Sequence, residues 1–218
     1  MRHSKTTRLL AWTSTLLAIL TPGVATEAQS GATGDYGVEE AYQIYGLLIP
    51  QEESYRFSKG ALVIQMETVA QLEGTQGGLP TGPEACLFPS AASQFKDAIA
   101  DYNRLNRKTW LLQKNFQIGK PYEIVPSDTL KAIFKEGGWD GFYKHYPDSG
   151  GYLTMSAVGF NKEKTRAIVY TGSSCGSLCG RWGFHILEKV DGKWKEAPGV
   201  RCRTVSKLAD QSNLLTKG

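Results

Sequence analysis

The sequence predicts an α+β protein in which several helices pack on a largely antiparallel sheet. Apolar residues recur at helical spacing in most of the chain up to Tyr146, whereas the last third alternates with the period of strands. Turn signals such as Asp191-Gly192 separate those strands, as in β-hairpins. Together these patterns predict a C-terminal β-meander that follows a more helical N-terminal part.

The first 28 residues resemble a secretory signal peptide. Three basic residues precede an apolar stretch over residues 9–20, and small residues permit cleavage after Ala25 or Ala28. The apolar stretch is shorter than the about 20 residues that a membrane anchor requires, and no later stretch is apolar enough to span a bilayer. We therefore expect a secreted or periplasmic protein.

Residues 29–218 are long enough for one domain with its own core, and flexible ends are expected near 29–34 and 207–218. The whole chain carries a net charge of +4, to which the three basic residues of the leader contribute. This balance gives no basic face of the kind that nucleic acid requires. The sequence predicts no nucleic-acid partner.

The first half of the chain predicts two long helices around a buried strand. Asp35 is expected to cap a helix that Pro50 ends, and residues 61–66 form an apolar run typical of a strand buried on both faces. Residues 74–89 contain too many Gly and Pro residues for a regular element. Ser90 is expected to cap the next helix, whose apolar stripe ends at Leu105.

The second half predicts a strand over residues 122–125 and a helix that begins at Ser127 and ends at Gly137. A further helical turn is predicted from Trp139 to Tyr146. The predicted strands of the meander are residues 152–160, 165–171, 181–190 and 193–197.

Four cysteines lie beyond the leader, at Cys86, Cys175, Cys179 and Cys202. Export to an oxidising compartment predicts two disulfides, although the sequence leaves all three pairings open. One pairing joins Cys175 to Cys179 in a small ring and Cys86 to Cys202 across more than a hundred residues. Two alternatives are a redox-active Cys175–Cys179 pair and a zinc site. The usual redox motif has two residues between its cysteines and lies at the start of a helix, whereas here three residues intervene and strands are predicted on both sides. The spacing of the four cysteines is not typical of zinc sites.

Ser174 stands in a formal G-x-S-x-G pattern, which in hydrolases marks a nucleophile on a turn from a strand into a helix. A strand, not a helix, is predicted after Ser174. In such hydrolases the acid precedes the histidine in the chain, whereas the acids nearest to His185 follow it. We therefore predict no catalytic triad. His145 is expected to face solvent, and His185 is expected to be a partly buried strand residue. The sequence predicts no catalytic residue, metal site or cofactor.

A candidate binding surface consists of aromatic and polar residues from both halves of the chain. Glu67 follows the buried strand and precedes the Gly/Pro-rich segment, a position where α+β proteins often bind ligands. Rings at Trp139, Tyr143 and Trp182 are candidates for stacking on a glycan or peptide, and His185 completes the set. Rings at helical spacing are more often part of a core than of a binding surface.

The C-terminal part contains three distinctive motifs: a GFN turn at residues 159–161, a CG-x-LCG loop at residues 175–180 and a hairpin that ends in Gly192-Lys193-Trp194. In these motifs it resembles a family of uncharacterised exported bacterial proteins. The resemblance covers about residues 120–200. It implies an exported α+β domain, and it assigns no activity and no functional residue.

These observations favour a non-catalytic binding or envelope-associated module. Its expected contact surfaces are the loops over residues 74–89 and 172–181, and its expected partners are a glycan, a peptide or an envelope protein. The alternative is a hydrolase or a thiol-redox enzyme with its site near residues 172–181. Reactive thiols at Cys175 and Cys179 would favour that alternative.

Overall fold

The structure, a computed structural model, describes residues 34–70, 82–198 and 203–206. The predicted signal peptide, Cys202, residues 74–81 of the Gly/Pro-rich segment and nearly all of the two predicted flexible ends lie outside the described residues. Within the described ranges, no helix combines the length and the apolar character that crossing a bilayer requires.

The helices of the described chain are α1 to α5, and two 3₁₀ turns accompany them at Ile49–Gln51 and Pro83–Cys86. The helix bounds are α1 Glu39–Leu48, α2 Glu53–Phe57, α3 Pro89–Ala92, α4 Lys96–Leu105 and α5 Ser127–His145. The strands are β1 Asp35–Tyr36, β2 Leu62–Gln65, β3 Leu111–Leu112, β4 Tyr122–Val125, β5 Tyr152–Met155, β6 Gly159–Phe160, β7 Arg166–Gly176, β8 Cys179–Val190, β9 Lys193–Glu196 and β10 Arg203–Ser206.

The main sheet has eight strands in the part of the chain that the structure describes, with the order β10-β8-β7-β5-β2-β4. Strand β6 pairs with β7, and β9 pairs with β8. Strand β2 is parallel to both of its neighbours, and the remaining pairs of this sheet are antiparallel. The predicted α+β class and the C-terminal meander are therefore confirmed.

Helices cover both faces of this sheet. On one face, α1 covers β2, β5 and β7, and its Tyr45 is completely buried. On the other face, α4 packs on β7 and β8 through Tyr102, and α5 packs near β2 and β4 through Phe142. Because successive strand residues point to opposite faces, Ile168 and Val169 of β7 belong to different clusters.

Several predicted boundaries agree with the structure. The apolar run at residues 61–66 contains β2, whose first three residues are fully buried between two parallel neighbours. Strand β4 has the predicted bounds. Helix α5 begins at Ser127 and breaks at Gly138, which has φ +56° and ψ −140°. Only glycine adopts this conformation readily, and the predicted end at Gly137 differs by one residue.

Two predicted helix caps are wrong. Asp35 lies in the two-residue strand β1, which pairs with β3, and α1 starts after Val38 instead. Ser90 lies inside the short helix α3, and α4 starts after Phe95. In both cases a short element, held by contacts that are distant in sequence, occupies the place of the predicted helix start.

Candidate functional site

The β7–β8 hairpin ends in a two-residue turn between Gly176 and Cys179 that a disulfide closes. The two residues pair across the hairpin, and a bulge shifts the register after Ser174. Cys175 and Cys179 are disulfide-bonded, with their Cα atoms 5.0 Å apart. The sequence leaves three pairings open, and the structure shows the one in which these two cysteines are joined to each other. We call residues 174–180 the hairpin tip.

The expectation of a loop over residues 172–181 is wrong, because both strands continue almost to the turn. Ser174 pairs with Tyr152 of β5 on one side and with Gly180 of β8 on the other. Gly180 in turn pairs with Ser206 of β10. Neighbouring strands on both sides therefore hold a Gly- and Ser-rich segment in the sheet, despite its low intrinsic preference for strands.

Helix α5 and the chain before β5 hold the base of the tip. The hydroxyl of Tyr143 donates a hydrogen bond to the carbonyl oxygen of Cys175 at 2.9 Å. Burial raises the pKa of Tyr143, so its phenol remains a donor at neutral pH. Gly151 lies directly against the backbone of Ser174 and Cys175. At the turn itself, Leu178 is 54% exposed.

A carboxylate lies beside the disulfide. One oxygen of Glu53, at the start of α2, lies within 4.8 Å of both sulfurs of Cys175 and Cys179. Glu53 is only 8% exposed, and a guanidinium nitrogen of Arg181 lies 3.9 Å from its Oε1 atom. The Nε atom of Arg181 is also buried and has no hydrogen-bond partner among the described residues. The inner side of the tip is therefore charged, whereas its outer end is apolar.

Two serines attach the start of α2 to β7 near the tip. The backbone N–H of Ser54 donates to Oγ of Ser173 at 2.9 Å. The hydroxyl of Ser173 donates to Oγ of Ser54, also at 2.9 Å. Both residues are fully buried. Because Glu53 directly precedes Ser54, these bonds fix the backbone that carries its carboxylate.

A second buried polar group lies farther along β7 and β8. The hydroxyl of Thr171 donates to Oε1 of Glu52 at 2.8 Å and also lies 2.8 Å from Nε2 of His185. Nδ1 of His185 lies 2.7 Å from Oε1 of Glu196, whose side chain is 45% exposed. Glu52 is 1% exposed and His185 is 2% exposed. The network thus connects a surface carboxylate with a buried one.

Replacing Thr171 with valine is expected to lower the free energy of unfolding by about 2 kcal/mol, because the shared hydroxyl between two buried polar groups is lost. Urea denaturation measures this loss. Thr154→Val is the matched control, since the Thr154 hydroxyl lies at a long 3.4 Å from the carbonyl oxygen of Gly172. An equal loss in both variants would contradict a stabilising role for the Thr171 hydrogen bonds.

The five residues of the predicted binding surface do not meet at one place. Trp139 and Tyr143 stack on each other in the α5 cluster, with ring centroids 5.8 Å apart. Trp182 packs in the α4 cluster. His185 is on the opposite face of β8 from Trp182, since the two are three positions apart. Of this set, two residues contact the hairpin tip: Tyr143 through its hydrogen bond to Cys175, and Trp182 through its ring, which lies against Gly180.

Glu67, the fifth of these residues, contacts the start of α5. Its Oε2 atom accepts a hydrogen bond from the backbone N–H of Ser127 at 2.7 Å. A carboxylate at this position complements the positive end of the helix dipole and satisfies an N–H group that has no partner within the helix. The contact gives Glu67 a structural role as a cap that is distant in sequence.

Three further residues that the sequence singled out are Ser174, His145 and Cys86, and the structure shows the surroundings of each. Ser174 is followed by the hairpin turn and then by a strand, so it lacks the helix that a nucleophile elbow needs. Nδ1 of the exposed His145 lies 2.9 Å from the carbonyl oxygen of Gly141. Cys86 is buried and disulfide-bonded. Its predicted bond to Cys202 lies outside the described residues and stays a prediction.

The group of described side chains that could together hold a metal ion is Glu53, Cys175 and Cys179. The two sulfurs are bonded to each other, however, and zinc and similar ions bind cysteine as the thiolate. In the oxidised protein these cysteines therefore serve as a covalent link across the tip.

Comparisons with protein-family models, curated proteins and solved structures found no match to this chain. The resemblance to an exported family therefore stays a prediction.

Proposed function

We propose that the protein is a non-catalytic, envelope-associated or secreted binding module that contacts a partner protein through its hairpin tip. The observation that carries this proposal is Leu178, an apolar side chain that is 54% exposed at the end of a disulfide-closed turn. Exposure of an apolar side chain to water is unfavourable, and burial in a pocket of a partner would remove that cost.

The tip is fixed before any partner arrives. The disulfide closes the turn, the strands pair on both sides of it, and Tyr143 holds the carbonyl of Cys175. A segment that is already ordered loses little conformational entropy when it binds. Leu178 is therefore presented in a geometry that favours affinity.

Ring contacts favour a protein partner over a glycan. Glycans stack on accessible aromatic faces, but Trp139 already stacks with Tyr143 and with Tyr152. Trp182 packs against the α4 cluster. An aliphatic side chain on a rigid turn is better suited to an apolar pocket in a protein surface.

A photo-crosslinking amino acid at position 178 tests this proposal in the native host. The control position is Val190, which is another exposed apolar residue, at the opposite end of the same hairpin. We expect a discrete crosslinked protein from position 178 and none from position 190. The adduct can then be identified by mass spectrometry.

Leu178→Asp should reduce the affinity for that partner by at least about tenfold while the melting temperature stays unchanged, because the side chain is exposed. Val190→Asp is expected to leave the affinity unchanged. Equal crosslinking at both positions, or full affinity of the Leu178 variant, would contradict the proposal.

A further inference from the structure

The Cys175–Cys179 disulfide differs from a purely structural one in its surroundings. Both cysteines are only partly buried, and a Glu53 carboxylate oxygen lies within 4.8 Å of both sulfurs. Exposed disulfides are the ones that exchange readily with external thiols. A fixed carboxylate is a group that can accept and return the protons of thiols.

This bond contributes only a small part of the stability of the fold around it. The ring it closes has a sequence separation of 4, and loop-closure entropy gives so short a ring only about 2 kcal/mol. The pairing of Gly176 with Cys179 and the hydrogen bond from the Tyr143 hydroxyl to Cys175 use backbone atoms of the cysteines and do not involve the sulfurs. The reduced cysteines would therefore stay close enough to form the bond again.

Glu53 is held with a carboxylate oxygen within 4.8 Å of each sulfur. The hydrogen bonds between Ser54 and Ser173 fix the start of α2, and Arg181 lies 3.9 Å from the carboxylate. The carboxylate is mostly buried, so the surrounding chain restricts its position. A side-chain movement would then be enough to bring it to either cysteine.

We propose that Cys175 and Cys179 form a reversible thiol–disulfide exchange site for an external dithiol, with Glu53 as the group that moves the protons. One thiol of the dithiol loses its proton to Glu53 and attacks one sulfur. The Cys175–Cys179 bond breaks, a mixed disulfide forms, and the departing sulfur takes the proton from Glu53.

The second thiol of the dithiol then attacks the mixed disulfide in the same way. The external molecule leaves as a disulfide, and the second cysteine leaves as a thiol. Two electrons and two protons have passed from the dithiol to Cys175 and Cys179, so the exchange is balanced. The reverse sequence reduces an external disulfide. This inference does not rest on the binding proposal, since the site can exchange whether or not Leu178 meets a partner.

The test uses the full chain with dithiothreitol and its oxidised form as the probe. Alkylation at timed intervals followed by peptide mass analysis gives the forward and reverse rates for Cys175–Cys179. We expect this bond to open in the folded protein while the bond of Cys86 stays closed. Glu53→Gln should lower both the forward and the reverse rate by at least about tenfold, because both directions need the carboxylate to take up and return a proton.

Glu136→Gln, a change at an exposed position of α5, is the matched control and should leave both rates unchanged. If Glu53→Gln fails to fold, Glu53→Asp retains the charge but withdraws it by one methylene, and it should also slow both directions. Wild-type rates in the Glu53 variants would overturn the proposal. A Cys175–Cys179 bond that opens only on unfolding would overturn it as well.

Discussion

Replacing Gly151 with alanine is expected to prevent stable folding, with a loss of more than about 4 kcal/mol in the free energy of unfolding. Gly151 has φ +105°, a conformation that residues with a Cβ atom rarely adopt. A Cβ atom there would also collide with the carbonyl oxygen of Ser174 and lie 2.8 Å from Cα of Cys175. Neither is a flexible side-chain atom, so the two segments would have to separate.

Two further glycines separate the effect of conformation from the effect of the collision. Gly138 has φ +56°, and a Cβ atom there would meet no other part of the chain within 4 Å, so Gly138→Ala should cost only about 1–3 kcal/mol, from the backbone conformation alone. Gly37 has no such φ and equally open surroundings, and Gly37→Ala should change stability by less than about 1 kcal/mol. Urea denaturation of the three variants gives the comparison. A Gly151 variant as stable as the Gly138 variant would show that the base of the hairpin tip can move apart.

The sequence predicts elements well where local signals and tertiary contacts agree. The first three residues of β2 are apolar and the strand lies between two others, and the break of α5 follows from two consecutive glycines. The prediction fails where distant contacts decide. Asp35 is a good helix cap by its local pattern, but its pairing with Leu111 places it in a strand. Residues 172–176 have a turn-like composition, and β5 and β8 nevertheless hold them in the sheet.

The polar contacts of the site also include one that the sequence could predict and others that it could not. Asp191-Gly192 predicts a hairpin, and the register of that hairpin places Glu196 opposite Leu187, which shares a face with His185. The contact between Glu196 and His185 could therefore have been predicted from the turn. No comparable signal existed for Glu52 or Glu53, because α2 follows a proline in a short polar segment and reaches β7 only in the folded chain.

The covalent links should contribute unequally to stability. Replacing both Cys175 and Cys179 with alanine is expected to cost about 2 kcal/mol, whereas replacing Cys86 and Cys202 should cost about 4–5 kcal/mol. The predicted Cys86–Cys202 bond closes a loop of more than a hundred residues, and long loops gain most from closure. Cys86 is also buried against the α4 cluster, where a smaller side chain would leave a gap.

Melting temperatures and urea midpoints of the two double variants, measured without reductant, test this order. Equal losses would mean that the predicted pairing of Cys86 with Cys202 is wrong, and peptide mapping of the unreduced protein would then identify the partner of Cys86. The expected difference also bears on the exchange proposed for the hairpin tip. The free energy by which a disulfide stabilises the fold equals the free energy by which the fold stabilises the disulfide. External thiols can therefore open the bond that contributes less to the fold while the protein remains folded.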